Sequence, residues 1–263
     1  MTGARVEATR VVSADGTVAA GTRTVAIEAP VAIEVDGFGY AVMMMTPTDL
    51  TAFATGFMLT ERLADTPADI VEVEPFDSPA GWIVRVALVE RCRGRIHDRI
   101  RHRSSDTSCG LCGIASLEQV RREVVGRPPR PALAAQAIFT ALAALRDEQR
   151  LNAATGAVHA AAACGADGAI LTLCEDVGRH NALDKLIGRR ATMPPAAFTL
   201  VTSRISFEMV DKALVARTPL LAGISAPTSL AIDHARMHGL TLVALARPDS
   251  LLVLNDPHGT FGQ

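Results

Sequence analysis

Three short apolar runs in the second half of the chain, at residues 168–174, 198–201 and 220–225, are each followed by a polar loop and then by apolar residues at helical spacing. After the first run the loop is Glu175-Asp-Val-Gly-Arg-His-Asn181, and Leu183, Leu186 and Ile187 fall on one helical face. After the second it is Thr202-Ser-Arg-Ile-Ser206, followed by Met209, Val210, Ala213 and Leu214. After the third it is Ala226-Pro-Thr-Ser229, followed by Ile232 and Ala235. Strands that are apolar without alternation are buried on both faces, and a repeated strand, loop and helix order marks a largely parallel α/β sheet. A final strand is expected at residues 240–246. In such sheets ligands sit beyond the carboxyl ends of the strands, so the three polar loops should share one edge.

The first half has a different rhythm. Residues 24–45 alternate around an Asp36-Gly37-Phe38-Gly39 turn, as antiparallel strands do. Residues 47–63 read as a helix with Thr46 as its N-cap and Pro47 in the first helical position. Two further strands, at 70–76 and 82–89, complete a smaller α+β domain, and the Gly-Arg-Pro-Pro-Arg-Pro stretch at 126–131 punctuates the chain. Two domains are therefore expected, 1–126 and 127–263. With 49% hydrophobic and 21% charged residues, the chain has enough apolar material for buried cores. A net charge of -2 gives it no general attraction to nucleic acid or membrane, so neither is an expected partner. Residues 1–5 lead into charged, alternating sequence without an apolar signal region, and the most apolar helical stretch, 134–145, is too short to span a bilayer. The five cysteines form an odd set, which fits a reducing compartment better than a disulfide framework. The expected location is cytoplasmic.

Two of those cysteines, Cys109 and Cys112, form the chain's one CxxC pair, each followed by a glycine, Gly110 and Gly113. The spacing suits half of a zinc site, a redox dithiol or a sulfur relay. Cys92, His97 and His102 precede it and could complete a metal site. Arg91, Arg93, Arg95, Arg99, Arg101 and Arg103 make the preceding segment a mobile, cationic one, and a helix is expected from about Ile114 through Leu117, Val120 and Val124. Both features would place positive potential on the sulfurs and favour thiolate. A thioredoxin-like site fits poorly, because that motif belongs at a strand-to-helix junction.

The loops with Arg179 and His180, and with Arg204, place Arg beside small or amide donors at a helix start, an arrangement that binds phosphate. Ordinary capped helices with solvent-facing arginines are the alternative. Pro227-Thr-Ser229 opens a third helix in the same manner. Neither GxxxxGK[ST] nor GxGxxG occurs, so nucleotide hydrolysis and dinucleotide redox chemistry lack support. His159 stands in Val158-His-Ala-Ala161, where a zinc deaminase would carry Glu at the Ala161 position; it reads as a packed, hydrogen-bonded histidine. Cys164 and Cys174 read as buried small hydrophobes.

Taken together, these stretches resemble the FdhD family of formate dehydrogenase accessory sulfurtransferases. The resemblance rests on Thr107-Ser-Cys-Gly-Leu-Cys-Gly113, Thr155-Gly-Ala-Val-His-Ala-Ala-Ala162, Glu175-Asp-Val-Gly-Arg-His-Asn-Ala-Leu-Asp-Lys-Leu-Ile-Gly188, Ser203-Arg-Ile-Ser-Phe-Glu-Met-Val210 and Ser225-Ala-Pro-Thr-Ser-Leu-Ala231, and also on Met43-Met-Met-Thr-Pro47 and Gly56-Phe-Met-Leu-Thr-Glu61. It implies a sulfur carrier that takes sulfur from an IscS-type cysteine desulfurase and passes it to the molybdenum or tungsten bis-molybdopterin guanine dinucleotide cofactor (bis-MGD) of formate dehydrogenase. It also implies Cys109 as the persulfide carrier, Cys112 as its partner, and a cofactor-binding stretch at Leu245, Ala246, Arg247, Pro248, Asp249 and Ser250. The fold so implied is α/β: a C-terminal three-layer domain similar to cytidine deaminase without zinc, preceded by the smaller α+β domain, in a homodimer. Arg179, His180 and Arg204 would then hold guanine nucleotide phosphates. The chain departs from the family's usual pattern at Arg62, where Gly is common, and at Asp249 and Leu254, where a Gly-containing turn and an aromatic are usual. A cofactor-carrying chaperone with a structural or zinc-bound CxxC is the alternative from another class.

Overall fold

The computed structural model describes residues 3–100, the last four by backbone alone, and residues 126–262. Strands β1 (Ala4–Val12) and β2 (Val18–Ala26) pair with each other as a separate two-stranded ribbon. Next come β3 (Ala29–Val35) and β4 (Phe38–Met45), a hairpin whose turn residues Asp36 and Gly37 both have positive φ, 47° and 83°. An Asp-Gly pair adopts that conformation at little cost, which is why the alternation reverses there. A second hairpin, β5 (Ile70–Ser78) and β6 (Gly81–Leu88), joins the first through parallel pairing of β3 with β6, giving the order β4-β3-β6-β5. Val31, Ile33, Val84 and Val86 turn one face of this sheet onto Phe53, Phe57 and Met58 of helix α1 (Leu50–Thr60).

Two local expectations for this half are corrected. Helix α1 begins at Leu50 behind Asp49 in a left-handed conformation, so Thr46 is no N-cap and Pro47 is not helical. Thr46 is wholly buried and its polar groups bond to the second half of the chain instead. The arginine-rich segment is helical as far as it is described: α2 spans Glu90–Ile100. Arg91 and Arg95 ion-pair with Asp65, Arg91 also with Asp69, and Arg93 pairs with Glu90. Cys92 and Ile96, one turn apart, anchor α2 in the core of this half. The charges that looked free in the sequence are met by carboxylates some 26 and 22 residues away, which spacing along the helix cannot reveal.

In the second half, α3 (Ala135–Glu148) and α4 (Arg150–Thr155) precede a six-stranded sheet made of β7 (His159–Cys164), β8 (Ile170–Asp176), β9 (Phe198–Val201), β10 (Leu220–Gly223), β11 (Thr241–Ala244) and β12 (Leu252–Asn255). Helices α5 (Arg179–Arg190), α6 (Phe207–Val215) and α7 (Ser229–His238) follow β8, β9 and β10. The strand order is β12-β11-β10-β9-β7-β8. β9, β10 and β11 are parallel as expected; β7 runs antiparallel to both β8 and β9, and β12 antiparallel to β11. β11 is thus not the last strand. Ala162, Leu200 and Val243 face α3, whereas Ala161, Val201 and Leu242 face α5, α6 and α7, which makes three layers with a core on each side of the sheet. Alanine is a poor strand former, so β7 was invisible as a strand; it is one because its small side chains are covered on both faces.

The two halves meet where α1 crosses α5. A Cβ placed on Gly56 would lie 1.9 Å from the carbonyl oxygen of Asp184, and one on Gly188 would lie 1.8 Å from that of Ala52. No side chain cushions this crossing. Around it, Lys212 donates to both oxygens of Asp184 at 2.9 Å and to Thr60 Oγ1, while Arg62 forms a two-pronged bond to Asp211 at 2.8 Å. Arg62 sits at φ 57°, a conformation that Gly adopts more cheaply, so its ion pair offsets the backbone cost of departing from Gly.

Gly56→Ala should therefore lower the urea midpoint by the equivalent of about 3 kcal/mol or more, because the clash is with backbone. Gly94→Ala, in α2 with open space around it, should be neutral or stabilise by up to about 1 kcal/mol. Equal midpoints for the two variants would contradict this account of the crossing.

Candidate functional site

Because β8, β9, β10 and β11 run in one direction, the loops after them share one edge of the sheet. The edge is organised by Asp176, at the end of β8 and fully buried. Its Oδ1 accepts from Gly178 N at 2.8 Å and Asn181 Nδ2 at 3.2 Å; its Oδ2 accepts from Lys185 Nζ at 2.6 Å and Thr46 N at 3.1 Å. Lys185, also fully buried, donates to the Thr46 carbonyl at 2.9 Å, and Val177 N donates to Thr46 Oγ1. A residue of the first half thus completes the loop that starts α5.

That helix has Gly178 at its N-cap and no side-chain cap, which leaves its first N–H groups open toward the edge. Among the described residues, Arg179 Nε, His180 Nε2 and Asn181 Oδ1 are buried atoms without a hydrogen-bond partner, and so is Ser206 Oγ at the equally uncapped start of α6. Unpartnered buried polar atoms are costly in a finished fold and acceptable where a ligand supplies the missing bonds. Among the described residues, neither Arg179 nor Arg204 is paired with a carboxylate. Burial, followed by the charges of Lys212, Arg179 and His159, pushes the imidazolium of His180 down to about 3, so His180 is a neutral group at physiological pH. His159 is likewise lowered by burial and then by Arg179 and Arg204, so one positive field covers all four residues. His159 was expected to be packed and hydrogen-bonded; it lies half-buried at the rim of β7 within this field.

The loops after β9 and β10 are zipped together by a bridge between Ile205 and Pro227, with Ile205 N donating to the Ala226 carbonyl and Thr228 N to the Ile205 carbonyl. Only α7 has an ordinary cap, Thr228 Oγ1 accepting from Ala231 N. The stretch at residues 245–250 lies against the β10 loop: Leu245, at φ 46°, donates from its N–H to the Ser225 carbonyl, and Ala246 N donates to that of Gly223. Arg247 donates its guanidinium to the carbonyls of Ile224 and Ala246. Its N–H meets the Ser250 carbonyl, and Ser250 Oγ bonds Asp249 beside exposed Pro248. The structure therefore brings Arg179, His180, Arg204 and residues 245–250 to a common edge, with Arg247 bracing loops rather than facing outward unbonded.

Cys109 and Cys112 lie outside the described residues, as do His102 and the expected helix after Gly113. Cys164 and Cys174 are buried, and loss of solvent pushes both thiols up to about 12, which makes them inert. Cys92 is buried with its sulfur near Asp65 and Asp69, whose carboxylates Arg91 and Arg95 already neutralise. Sequence reasoning missed Thr46, Asp176, Lys185, Ser206 and Glu208. Local spacing marked none of their bonds; Thr46 lies 139 residues from Lys185.

The profile of the FdhD/NarQ family matches residues 26–260. The chain belongs to this family. The match leaves out β1 and most of β2. A sulfur carrier protein FdhD of Variovorax paradoxus is 45% identical over 236 residues, covering 89% of this chain and 85% of its own length. Another, of Agrobacterium fabrum, is 43% identical over 237 residues, covering 89% and 88%. The crystal structure of a protein described as a formate dehydrogenase accessory protein, from Desulfotalea psychrophila, superposes with a TM-score of 0.76 at 24% identity, covering 97% of this chain and 98% of that one. The fold is thus that of the family. The described residues include no helix long and apolar enough to cross a membrane.

The neutral state of His180 has a pH consequence. Between about pH 3 and the ordinary histidine value of 6.5, the unfolded chain binds a proton at this position that the folded chain does not. Stability contributed here is intact above pH 6.5 and falls as pH drops below it. His180→Asn should lose less stability than the wild type between pH 7.5 and 5 in urea titrations; an identical acid dependence would show that His180 is not held neutral.

Proposed function

We propose that the chain is a sulfur carrier for formate dehydrogenase, binding the guanine nucleotide ends of a bis-MGD cofactor at the edge described above and delivering sulfur to its molybdenum or tungsten. The observation that carries this reading is the pair of uncapped helix starts, α5 and α6, with buried Arg179 Nε, His180 Nε2 and Ser206 Oγ left without partners. Such an edge suits phosphate. Family membership, and the names sulfur carrier and accessory protein borne by its relatives, support the same reading. Arg179, Arg204 and residues 245–250 hold the nucleotide in this proposal, and the two domains divide at 126/127. The carrier works in the cytoplasm as a homodimer.

The chemistry begins when the persulfide of an IscS-type desulfurase is attacked by the Cys109 thiolate. The outer sulfur moves to Cys109 and the desulfurase thiolate leaves. Release as sulfide requires two electrons, and Cys112 supplies them: its thiolate attacks the Cys109 sulfur, the Cys109–Cys112 disulfide forms and HS⁻ departs toward the metal. A cellular thiol then reduces the disulfide. In this sense the chain is a sulfurtransferase, turning over by persulfide relay.

Incubation with a desulfurase and cysteine, followed by mass spectrometry, should find one added sulfur on the Cys109 peptide. Cys109→Ala should lose loading; Cys112→Ala should load but release sulfide slowly until an external thiol is added. Normal loading and discharge by both variants, with one tightly held zinc per chain, would favour the cofactor-carrying module instead.

Calorimetry with GDP tests the edge. Arg179→Ala and Arg204→Ala should each weaken binding by about 1.5–3 kcal/mol, the range for charged hydrogen bonds. Arg247→Ala should also weaken it, through loss of the brace on residues 245–250. Wild-type affinity in all three variants would remove the nucleotide from this edge.

A further inference from the structure

One group on the edge has the wrong sign for phosphate. Glu208, in the first turn of α6, faces His180, which itself lies in the field of Lys212, Arg179 and His159, yet the Glu208 carboxylate accepts no hydrogen bond among the described residues. The nearest charged-type neighbour is His180 Nε2 at 4.0 Å, too long for a hydrogen bond. His180 is neutral in the fold, so it is no counter-ion. The start of a helix favours an acidic side chain, which explains a carboxylate on the surface there. Glu208 is part-buried, with 20% of its side chain exposed, and its carboxylate is met by no donor among the described residues, so it stays open to a ligand. Of the other acidic groups around the edge, Asp249 is exposed and meets its neighbour Ser250 Oγ, and the rest are spent inside the fold. Asp176 holds the α5 loop, Glu175 accepts from Leu151 N and Asn152 N, Asp184 holds Lys212, and Asp211 holds Arg62.

We propose that Glu208 is the residue that reads the base of a purine nucleotide seated on this edge, and that it selects guanine. A carboxylate presents two acceptors side by side and no donor. Guanine alone among the common bases offers two adjacent donors, N1–H and the 2-amino group, to match them. Adenine would turn its N1 lone pair toward the carboxylate, so selection against it is repulsive as well as lacking a bond. The phosphates meet the cationic side of the edge and the base meets its acidic residue. This assignment rests on the nucleotide reading given above and adds the group that decides which nucleotide binds.

The test is a comparison of GDP, IDP, ADP and inorganic pyrophosphate on the whole chain by calorimetry. IDP lacks only the 2-amino donor. The wild type should favour GDP over ADP by about ten- to hundredfold, with IDP between them. In Glu208→Ala that preference should shrink to about threefold or less, while pyrophosphate, which has no base, still binds; Glu208→Gln, closer in shape, should lose most of the preference for GDP over IDP. Retention of the wild-type ratios in both variants overturns the assignment to Glu208 and leaves the phosphate site standing. Wild-type binding of GDP and ADP alike, abolished by Arg179→Ala, overturns base reading alone. Failure of the wild type to bind GDP or pyrophosphate overturns the nucleotide reading and this assignment together.

Discussion

The ion pair between Asp176 and Lys185, at 2.6 Å and fully withdrawn from solvent, is the interaction on which the rest of the arrangement hangs. A buried pair repays its desolvation only when the remaining donors and acceptors are also met. Here they are met by Thr46 N, the Thr46 carbonyl, Gly178 N and Asn181 Nδ2. The same bonds that make the pair tolerable tie the end of β4 to the end of β8 and aim the start of α5. Removing one partner would leave a lone charge in the interior, a cost of about 3–5 kcal/mol in comparable cases. The pair is therefore at once the join between the two sheet-bearing halves and the frame of the candidate site.

Positive potential on the edge follows from what this frame leaves unspent. Asp176 is consumed by the frame, Asp184 by Lys212 and Asp211 by Arg62, which neutralises these three carboxylates within the fold and leaves Glu208 as the part-buried carboxylate of the edge that is not so paired among the described residues. Among the described residues, no carboxylate pairs with Arg179 or Arg204, which stand beside open helix starts. The desolvated, neutral imidazole of His180 belongs to the same economy: a third cation beside Arg179 and Lys212 would be opposed by both.

Much of this was legible in the sequence, and the reasons are local. Strands β9, β10 and β11 are short and apolar because both faces are covered, so their unbroken hydrophobic runs announced them. The hairpin at Asp36 and Gly37 was legible because its backbone conformation demands such residues. The shared edge followed from strand direction. What stayed hidden depended on partners distant in sequence. Thr46 before Pro47 has every local mark of a helix cap, and only the buried charges of Asp176 and Lys185 explain why it serves elsewhere. The arginines of α2 looked unpaired because Asp65 and Asp69 precede them by a whole hairpin. Alanine-rich β7 carries no strand preference of its own, and Glu208 sits at a helix position where an acidic residue calls for no comment.

The crossing of α1 and α5 at Gly56 and Gly188 also governs how the molecule moves. Helices separated by interlocking side chains slide past one another by small rotamer adjustments, the shear mode of rearrangement. Two backbones in direct contact have no such layer to deform, and the flanking ion pairs of Lys212 with Asp184 and Arg189 with Asp49 pin the crossing on either side. Shear is thereby denied to this joint. The four-stranded and six-stranded sheets travel as a single rigid lever, and any adjustment to a ligand falls to the loops at the sheet edge, whose ends the lever holds at a fixed separation.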